Sequence, residues 1–458
     1  MQLRKNLFSD IKKQKGPISI VLIGTKPDII KQAPLIKKLQ ERGNFTVVVH
    51  SGQHSQFNLS GGLEEEFNIK TDVHLGVSGI LYQQQAQIIE RFGSFLHEIK
   101  SFNKDVIPYV CADTTTALAA GIASFSNLIS TAHVEAGLRT MSPPRELTLS
   151  LLESGFNIRE YIKELRKKKD WTKGSYEPYP EQFDTRAAGP SAGIHLAPVA
   201  LNAKHLIQEG YYPKRIVIVG NTIVDALKFI QEKVKKSEIF EKFPVLADGD
   251  LIRFCIHRRE NITSFQRFMA IYEAMEVLIK EGRKIVLISL GATEKAFAEY
   301  NLKKKTIALA KKYPHFIYSP VLPYYADTIA IMQRCSLVVT DSGSIQEETN
   351  TLGIPGVVLR FNTDRPEAVF QGSNVIAPPI TKDIILKIVR SILEKKSIQQ
   401  QMRKAPKLYG NNVSEKIVQV TENALKKNSE FNIFEFMEHQ RLGLTNKSFW
   451  RKREKITW

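Results

Sequence analysis

No stretch of the 458-residue chain approaches the roughly 18–20 consecutive apolar residues that span a bilayer, so no membrane-crossing helix is expected. Basic residues do precede the apolar stretch Ile18–Gly24. That stretch is too short for the apolar core of a signal peptide and no small-residue cleavage site follows it, so it reads as a first β-strand. Cysteine is scarce: Cys111, Cys255 and Cys335 each stand alone in an apolar, strand-like segment. Neither metal-ligand spacing nor the pairing of a disulfide scaffold is present, which predicts buried free thiols and a reducing, cytoplasmic setting. Internal repeats and low-complexity tracts are absent. So are the aromatic signatures of RNA-binding modules and any recognisable DNA-binding motif, and nucleic acid is not expected as a partner.

What is present is a globular composition, with 43% hydrophobic and 24% charged residues. The length is too great for one ordinary core and points to two α/β domains. The net charge of +18 suits a phosphate-bearing small substrate. It is unevenly spread: Arg159–Lys173 holds seven basic and three acidic residues, and the tail 447–458 is basic with Trp450 and Trp458 interleaved. A solvated basic surface explains both segments, and contact with an anionic membrane surface or polymer is the other reading.

Short β-rich runs alternate with longer amphipathic ones, the pattern of parallel sheets covered by helices. Strands are expected at Ile18–Gly24, Thr46–His50, Val106–Cys111 and Leu128–His133, with helices such as Pro27–Gln40 and Tyr82–Lys100 between them. The alternation restarts near Arg215, with strands at 216–219, 252–256, 284–289, 316–319, 337–340 and 356–359. Two doubly wound domains in series follow, at 1–212 and 213–404, with a ligand cleft where their strand ends face each other. Residues 141–178 break the pattern and read as a charged insertion on the first domain. Helices are expected at 380–396 and 413–427, and the segment 405–458 closes the chain.

Gly24-Thr25-Lys26-Pro27-Asp28 directly follows the first strand, so the backbone N–H groups of that helix start, with Lys26 and Lys31, suit an anion. A second junction, Asp341-Ser342-Gly343-Ser344, ends a strand and opens a helix with small residues that let a diphosphate approach. Glu348 lies about one turn into that helix, where a carboxylate can accept both hydroxyls of a ribose. An ordinary capped helix, with Asp341 or Ser342 as N-cap, explains the same residues. Asp113, Glu135 and His257, the last followed by Arg258 and Arg259, fall at the carboxyl ends of strands, where catalytic groups of parallel sheets gather.

The blocks GTKPDIIKQAPL (24–35), SGQH (51–54), ADTTTALA (112–119), HVEAGLRT (133–140), PEQFDTR (180–186), VGNTIVDAL (219–227), HRREN (257–261), TDSGSIQEE (340–348) and DRPEAV (364–369) run in one order along residues 18 to about 420. In that order they resemble the non-hydrolysing UDP-N-acetylglucosamine 2-epimerase family, with the insertion and the tail uncovered. The resemblance implies a GT-B-like fold of two Rossmann-like domains, with the last helices packing back on the first, and a homodimer. It implies interconversion of UDP-GlcNAc and UDP-ManNAc by elimination and re-addition of UDP through a 2-acetamidoglucal, with no metal or other cofactor. Carried over residue by residue, Asp113, Glu135, Glu181 and His257 are the catalytic candidates. Lys26, Lys31, Arg258, Tyr324, Ser342, Gly343, Ser344, Glu348 and Arg365 are the substrate-binding ones, with Tyr324 near the uracil and Lys26 and His257 as cations for the departing UDP.

The chain departs from the family pattern in several places. Lys26 stands where arginine is usual, losing a bidentate fork for phosphate. Asp28 replaces a glutamate, Cys111-Ala112 replaces a His-Gly pair, and Ser344 replaces a glycine. PEQFDTR is one residue longer than the family block between its glutamate and its arginine, and the insertion directly precedes Glu181. Two alternative activities therefore stay open beside epimerisation: a GT-B glycosyltransferase using a UDP-sugar donor, and a hydrolysing 2-epimerase that releases free ManNAc and UDP. A nucleotide-sugar sensor without activity would leave the three carboxylates unexplained.

Overall fold

The computed structural model describes residues 1–427 apart from 55, 103 and 154; the basic tail read from the sequence lies outside the described residues. In the first part of the chain the strands are β1 (Gln2–Leu3), β2 (Ile18–Ile23), β3 (Phe45–His50), β4 (Val73–His74), β5 (Val106–Cys111), β6 (Thr131–Val134), a short pair β7 (Met141–Ser142) and β8 (Thr172–Lys173), then β9 (Ala192–Ala197) and β10 (Ile216–Ile218). Eight of them form one sheet in the order β1-β4-β3-β2-β5-β6-β9-β10, parallel except at β1, while β7 and β8 pair with each other. The second sheet runs β13-β12-β11-β14-β15-β16 and is wholly parallel. Its strands are β11 (Leu251–Cys255), β12 (Ile285–Ser289), β13 (Phe316–Pro320), β14 (Cys335–Thr340), β15 (Gly356–Val358) and β16 (Asn374–Ile376). Strands such as β2 (ISIVLI) are buried at every position, as β-branched runs must be when helices cover both faces of a parallel sheet.

Six helices position the site: α1 (Lys26–Glu41), α2 (Ile158–Leu165), α3 (Glu181–Ala188), α4 (Tyr325–Gln333), α5 (Gly343–Leu352) and α6 (Val413–Lys427). The α/β class with two Rossmann-like parallel sheets is as the sequence predicts. Helix α6 lies on α1, tied by Arg42 to Glu415 at 2.9 Å and to Glu422 at 2.6 Å. The Tyr109 hydroxyl of β5 donates to Thr421 on the same helix at 2.8 Å. Among the described residues no helix is long and apolar enough to cross a membrane.

Two expectations change. Strand β10 pairs with β9, so the first sheet extends through residue 218, past the boundary expected at 213. The insertion read as decoration of the first domain instead packs its apolar face on the second. Ile158, Tyr161, Ile162 and Leu165 form a buried stripe at helical spacing on α2. They share a core cluster with Ile376, Phe370 and Ile385 of the second domain. Tyr161 donates to the Ile376 carbonyl at 2.9 Å, Trp171 stands edge-on to Phe370, and Lys387 reaches the Leu151 carbonyl at 2.9 Å. The charged run forms the outer, exposed side of this segment. Charge dominates the sequence here and masks a narrow apolar stripe.

Candidate active site

Helix α1 starts on a capping box: Thr25 accepts from the Asp28 N–H and Asp28 accepts from the Thr25 N–H at 3.1 Å, with Pro27 in the first turn. Asp28 is therefore a capping residue, and burial pushes its carboxyl up to about 7. Lys26 spans the two domains, donating to the Leu322 carbonyl at 2.9 Å. Burial, and then the nearby Arg253 charge, lower Lys26 to about 8.

On the second domain Ser342 caps α5. Asp341, read as an alternative cap, faces the other way and organises the loop after β11. Its carboxylate accepts from the His257 N–H at 3.0 Å, the Arg258 N–H at 3.0 Å and the Asn261 side chain at 3.0 Å. The His257 ring stands 3.3 Å from the same carboxylate. Burial nevertheless lowers His257 to about 4, so the ring is neutral at pH 7 and not the cation expected from the sequence. Gly343 suits the place where the DRPEA segment crosses the helix start: a Cβ there would stand 3.1 Å from the Asp364 carboxylate and 3.2 Å from the Arg365 guanidinium, so these side chains would have to give way slightly.

Between the domains lies a cavity of about 380 Å³. Asp113, Glu181, Asp184, His257 and Arg258 line one part of it, with Glu181 ion-paired to Arg258. Lys31, Arg365, Ser342 and Ser344 line it as well. Lys26, Arg253, Ile288, Leu290, Tyr325 and Glu348 line the remainder. Burial raises both Glu181 and Asp184, the latter to about 7, and Asp184 accepts from Thr115 at 3.0 Å.

Four charges meet behind this cavity. Lys31 contacts Glu135 at 2.6 Å and Glu347 at 2.8 Å. Arg365 contacts Glu135 at 3.0 Å, Glu347, Asp364 at 2.8 Å and Asp113 at 3.8 Å. Burial and the neighbouring Glu347 carboxylate push Glu135 well up. Burial acts on Glu347 as well, but Arg365 and Lys31 outweigh it and hold that group at about 2. The backbone is in the left-handed region at both strand ends, with φ 62° at Glu135 and φ 58° at Ala112.

The structure thus gathers Lys26, Lys31, Asp113, Glu181, His257, Arg258, Ser342, Ser344, Glu348 and Arg365 around one cavity. Three expected residues stand differently. Glu135 lies outside the lining, behind Lys31 and Arg365, because its carboxyl oxygens accept hydrogen bonds from both. Gly343 serves the close approach just described. Tyr324 faces a separate groove, its ring edge-on to Phe57, because it precedes the first turn of α4. Its neighbour Tyr325 lines the cavity and donates to Glu348 at 2.7 Å. Lys31 is committed to two carboxylates and does not stand as a spare cation at the helix start.

Sequence reasoning missed Asp184, Glu347 and Arg253. Asp184 sits three residues after Glu181 on α3, a spacing that puts both on one face. Arg253 is a lone arginine in an otherwise apolar strand, which is itself a signal.

The chain matches the profile of the UDP-N-acetylglucosamine 2-epimerase family over residues 37–145 and 172–422, and the gap coincides with the body of the insertion. It is 30% identical over 418 residues to a UDP-N-acetylglucosamine 2-epimerase of Campylobacter jejuni, covering 88% of this chain and 96% of that one. The crystal structure of the Neisseria meningitidis UDP-GlcNAc 2-epimerase bound to UDP-GlcNAc superimposes with a TM-score of 0.73 at 25% identity, over 89% of this chain and 100% of that chain. The Methanocaldococcus jannaschii UDP-GlcNAc 2-epimerase in complex with UDP-GlcNAc and UDP gives a TM-score of 0.73 at 26% identity, over 89% and 99%. With the cleft and the paired Rossmann-like domains in place, and the profile matched over most of its length, the chain belongs to the UDP-N-acetylglucosamine 2-epimerase family.

Proposed function

We propose that this chain interconverts UDP-GlcNAc and UDP-ManNAc as a non-hydrolysing 2-epimerase. The observation that carries the reading is the meeting of Asp113 and Glu181 from the first domain with His257, Arg258 and the start of α5 from the second in one cavity. In this reading the diphosphate lies on the α5 N-terminus with Ser342 and Ser344, and Glu348 takes the ribose hydroxyls. Departure of UDP breaks the C1–O bond and leaves its electron pair on the β-phosphate oxygen. Lys26, Arg365 and the α5 amides then stabilise that developing charge.

The C2 proton leaves to one carboxylate as the C1–C2 double bond forms, and re-addition returns UDP to C1 and a proton to C2 from the opposite face. Asp113 and Glu181 are the groups assigned to these transfers, since both line the cavity and burial moves Glu181 toward neutrality. Neutral His257 can hydrogen-bond the sugar or a phosphate oxygen without adding charge. Glu135 is assigned a positioning role through Lys31 and Arg365. Incubation with UDP-GlcNAc followed by anion-exchange chromatography tests the reading: a second UDP-sugar at constant total nucleotide sugar is expected, and stoichiometric UDP release contradicts it.

The same proposal includes a homodimer in a cytoplasmic setting. Exposed apolar residues on the first domain, among them Tyr82 at 66% and Ile122 at 41%, support the first, and the three buried free cysteines support the second. Sedimentation velocity checks the dimer.

A further inference from the structure

Arg253 occupies the centre of β11, in the run Leu251–Cys255 that is otherwise apolar. Strand alternation turns its side chain to the same face as Cys255, toward α4 and α5, where Ile288, Tyr325 and Glu348 also line the cavity. The residue is only 5% exposed, yet neither its Nε nor its Nη1 has a hydrogen-bond partner among the described residues. Its charge opposes the effect of burial on Glu348, but Glu348 accepts its hydrogen bond from Tyr325. Lys26, the other cation at this end, spends a donor on the Leu322 carbonyl.

Burying a guanidinium with idle donors is costly, and the packing of an apolar strand does not ask for one. Glu348 is engaged by Tyr325, so a ligand acceptor entering the cavity meets free guanidinium donors. The position of Arg253 says which part of the ligand supplies that acceptor. From Ser344 at the phosphate end of α5, Glu348 is about 6 Å further along the helix axis, where the ribose falls. Arg253 stands within electrostatic reach of Glu348 and lines the cavity together with the apolar side chains of Ile288, Leu290 and Val321, a setting for a flat ring with polar edges.

We infer that Arg253 is a specificity-determining residue of the nucleotide subsite, donating to a keto oxygen of the pyrimidine ring and selecting uracil over cytosine. The inference rests on the UDP-sugar reading above. Uracil presents keto oxygens on both sides of its N3–H, whereas cytosine replaces one by an amino group that would set donor against donor. A buried donor left without its acceptor is what gives a site strong discrimination.

The test is isothermal titration of UDP and CDP into the wild type and Arg253→Met. The wild type is expected to favour UDP by about tenfold or more, as for a site built to hydrogen-bond one ligand. Arg253→Met should lose about tenfold or more in UDP affinity and less than about threefold in CDP affinity, so that the preference collapses. Equal losses for both nucleotides, with the preference intact, would mean that Arg253 only supports the fold, and would overturn the inference. If circular dichroism shows that Arg253→Met does not fold, Arg253→Lys, which keeps the charge and loses the planar fork, serves instead. It too should lower the UDP-to-CDP ratio, and an unchanged ratio overturns the inference. A wild type that binds no UDP removes both this inference and the nucleotide-sugar reading, whereas UDP preference retained in the variants removes only this one.

Discussion

The Arg365 guanidinium lies 3.0 Å from the Glu135 carboxylate, although one residue belongs to the second domain and the other follows β6 of the first. Lys31 and Glu347 complete the same contact from the two sides, so the domains meet through a buried set of two cations and two carboxyl groups. Such a set is stable only while complete, since removing one partner strands a charge away from water. It also fixes Arg365, which reaches toward Asp113 at 3.8 Å, relative to the cavity.

Glu135→Gln keeps the shape of the side chain but replaces an oxygen that accepts from Lys31 or Arg365 by an amide donor. C2–H exchange of UDP-GlcNAc should fall by about 10²-fold or more through misplaced Lys31 and Arg365, and UDP affinity should fall as well, since Arg365 also serves the diphosphate. The melting temperature should also fall. Wild-type exchange in the folded variant would mean that the four-charge set serves stability alone.

Glu348 is expected to hold the ribose while Tyr325 holds Glu348. Glu348→Ala should weaken UDP binding by roughly 1–3 kcal/mol, the worth of charge-assisted hydrogen bonds in a closed site. Isothermal titration of the wild type with UDP and 2′-deoxy-UDP checks the contact. Equal affinities for the two nucleotides would remove the proposed role.

Trp171→Ala or Tyr161→Ala should destabilise the protein by about 3–5 kcal/mol, as deletion of large aromatics from a core does. Both side chains are almost fully buried against the second domain, at 6% and 5% exposure. Urea denaturation measures this. Replacing residues 145–176 by a short linker should for the same reason unfold or aggregate the chain by exposing Phe370 and its neighbours. Losses below about 1 kcal/mol for both variants would mean that the insertion is detachable.

Burial raises Asp184 to about 7, and Glu181 and Asp113 beside it add to the rise. A carboxyl whose folded-state value is raised binds its proton more tightly when folded, so its contribution to stability is lost as pH rises from about 4 to about 7. Asp184→Asn removes that loss. The stability gained by the variant should grow between pH 5 and pH 7.5 and then level off, as read from urea midpoints. A gain independent of pH would contradict a raised carboxyl at this position.

Much of this site was legible in the sequence because its residues sit at junctions with strong local signatures. Thr25-Lys26-Pro27-Asp28 announces a capped helix, and Ser342-Gly343-Ser344 does so again after an apolar strand. Residues whose role depends on the partner domain were not legible. Glu135 falls at a strand end like Asp113, and only the arrival of Arg365 from 230 residues away turns it from the cavity into the charge set. The insertion shows the same limit: Ile158, Tyr161, Ile162 and Leu165 predict a buried face, but nothing local says against which domain. Strand β9 was overlooked because Ala192-Gly193-Ile194-His195 lacks a β-branched run, although it is buried throughout between β6 and β10. Tyr324 and Tyr325 differ by one position at a helix start, which is enough to send one into the cavity and the other out of it.

Inversion of C2 in a UDP-sugar without net loss of UDP is open to direct observation by proton NMR of the purified protein with UDP-GlcNAc in D2O. UDP-ManNAc should appear with deuterium at C2, deuterium should wash into the UDP-GlcNAc pool, and exchange should slow by about 10²–10⁴-fold in Asp113→Asn. Accumulation of UDP with free ManNAc, or an unchanged C2–H signal in the wild type, would contradict it.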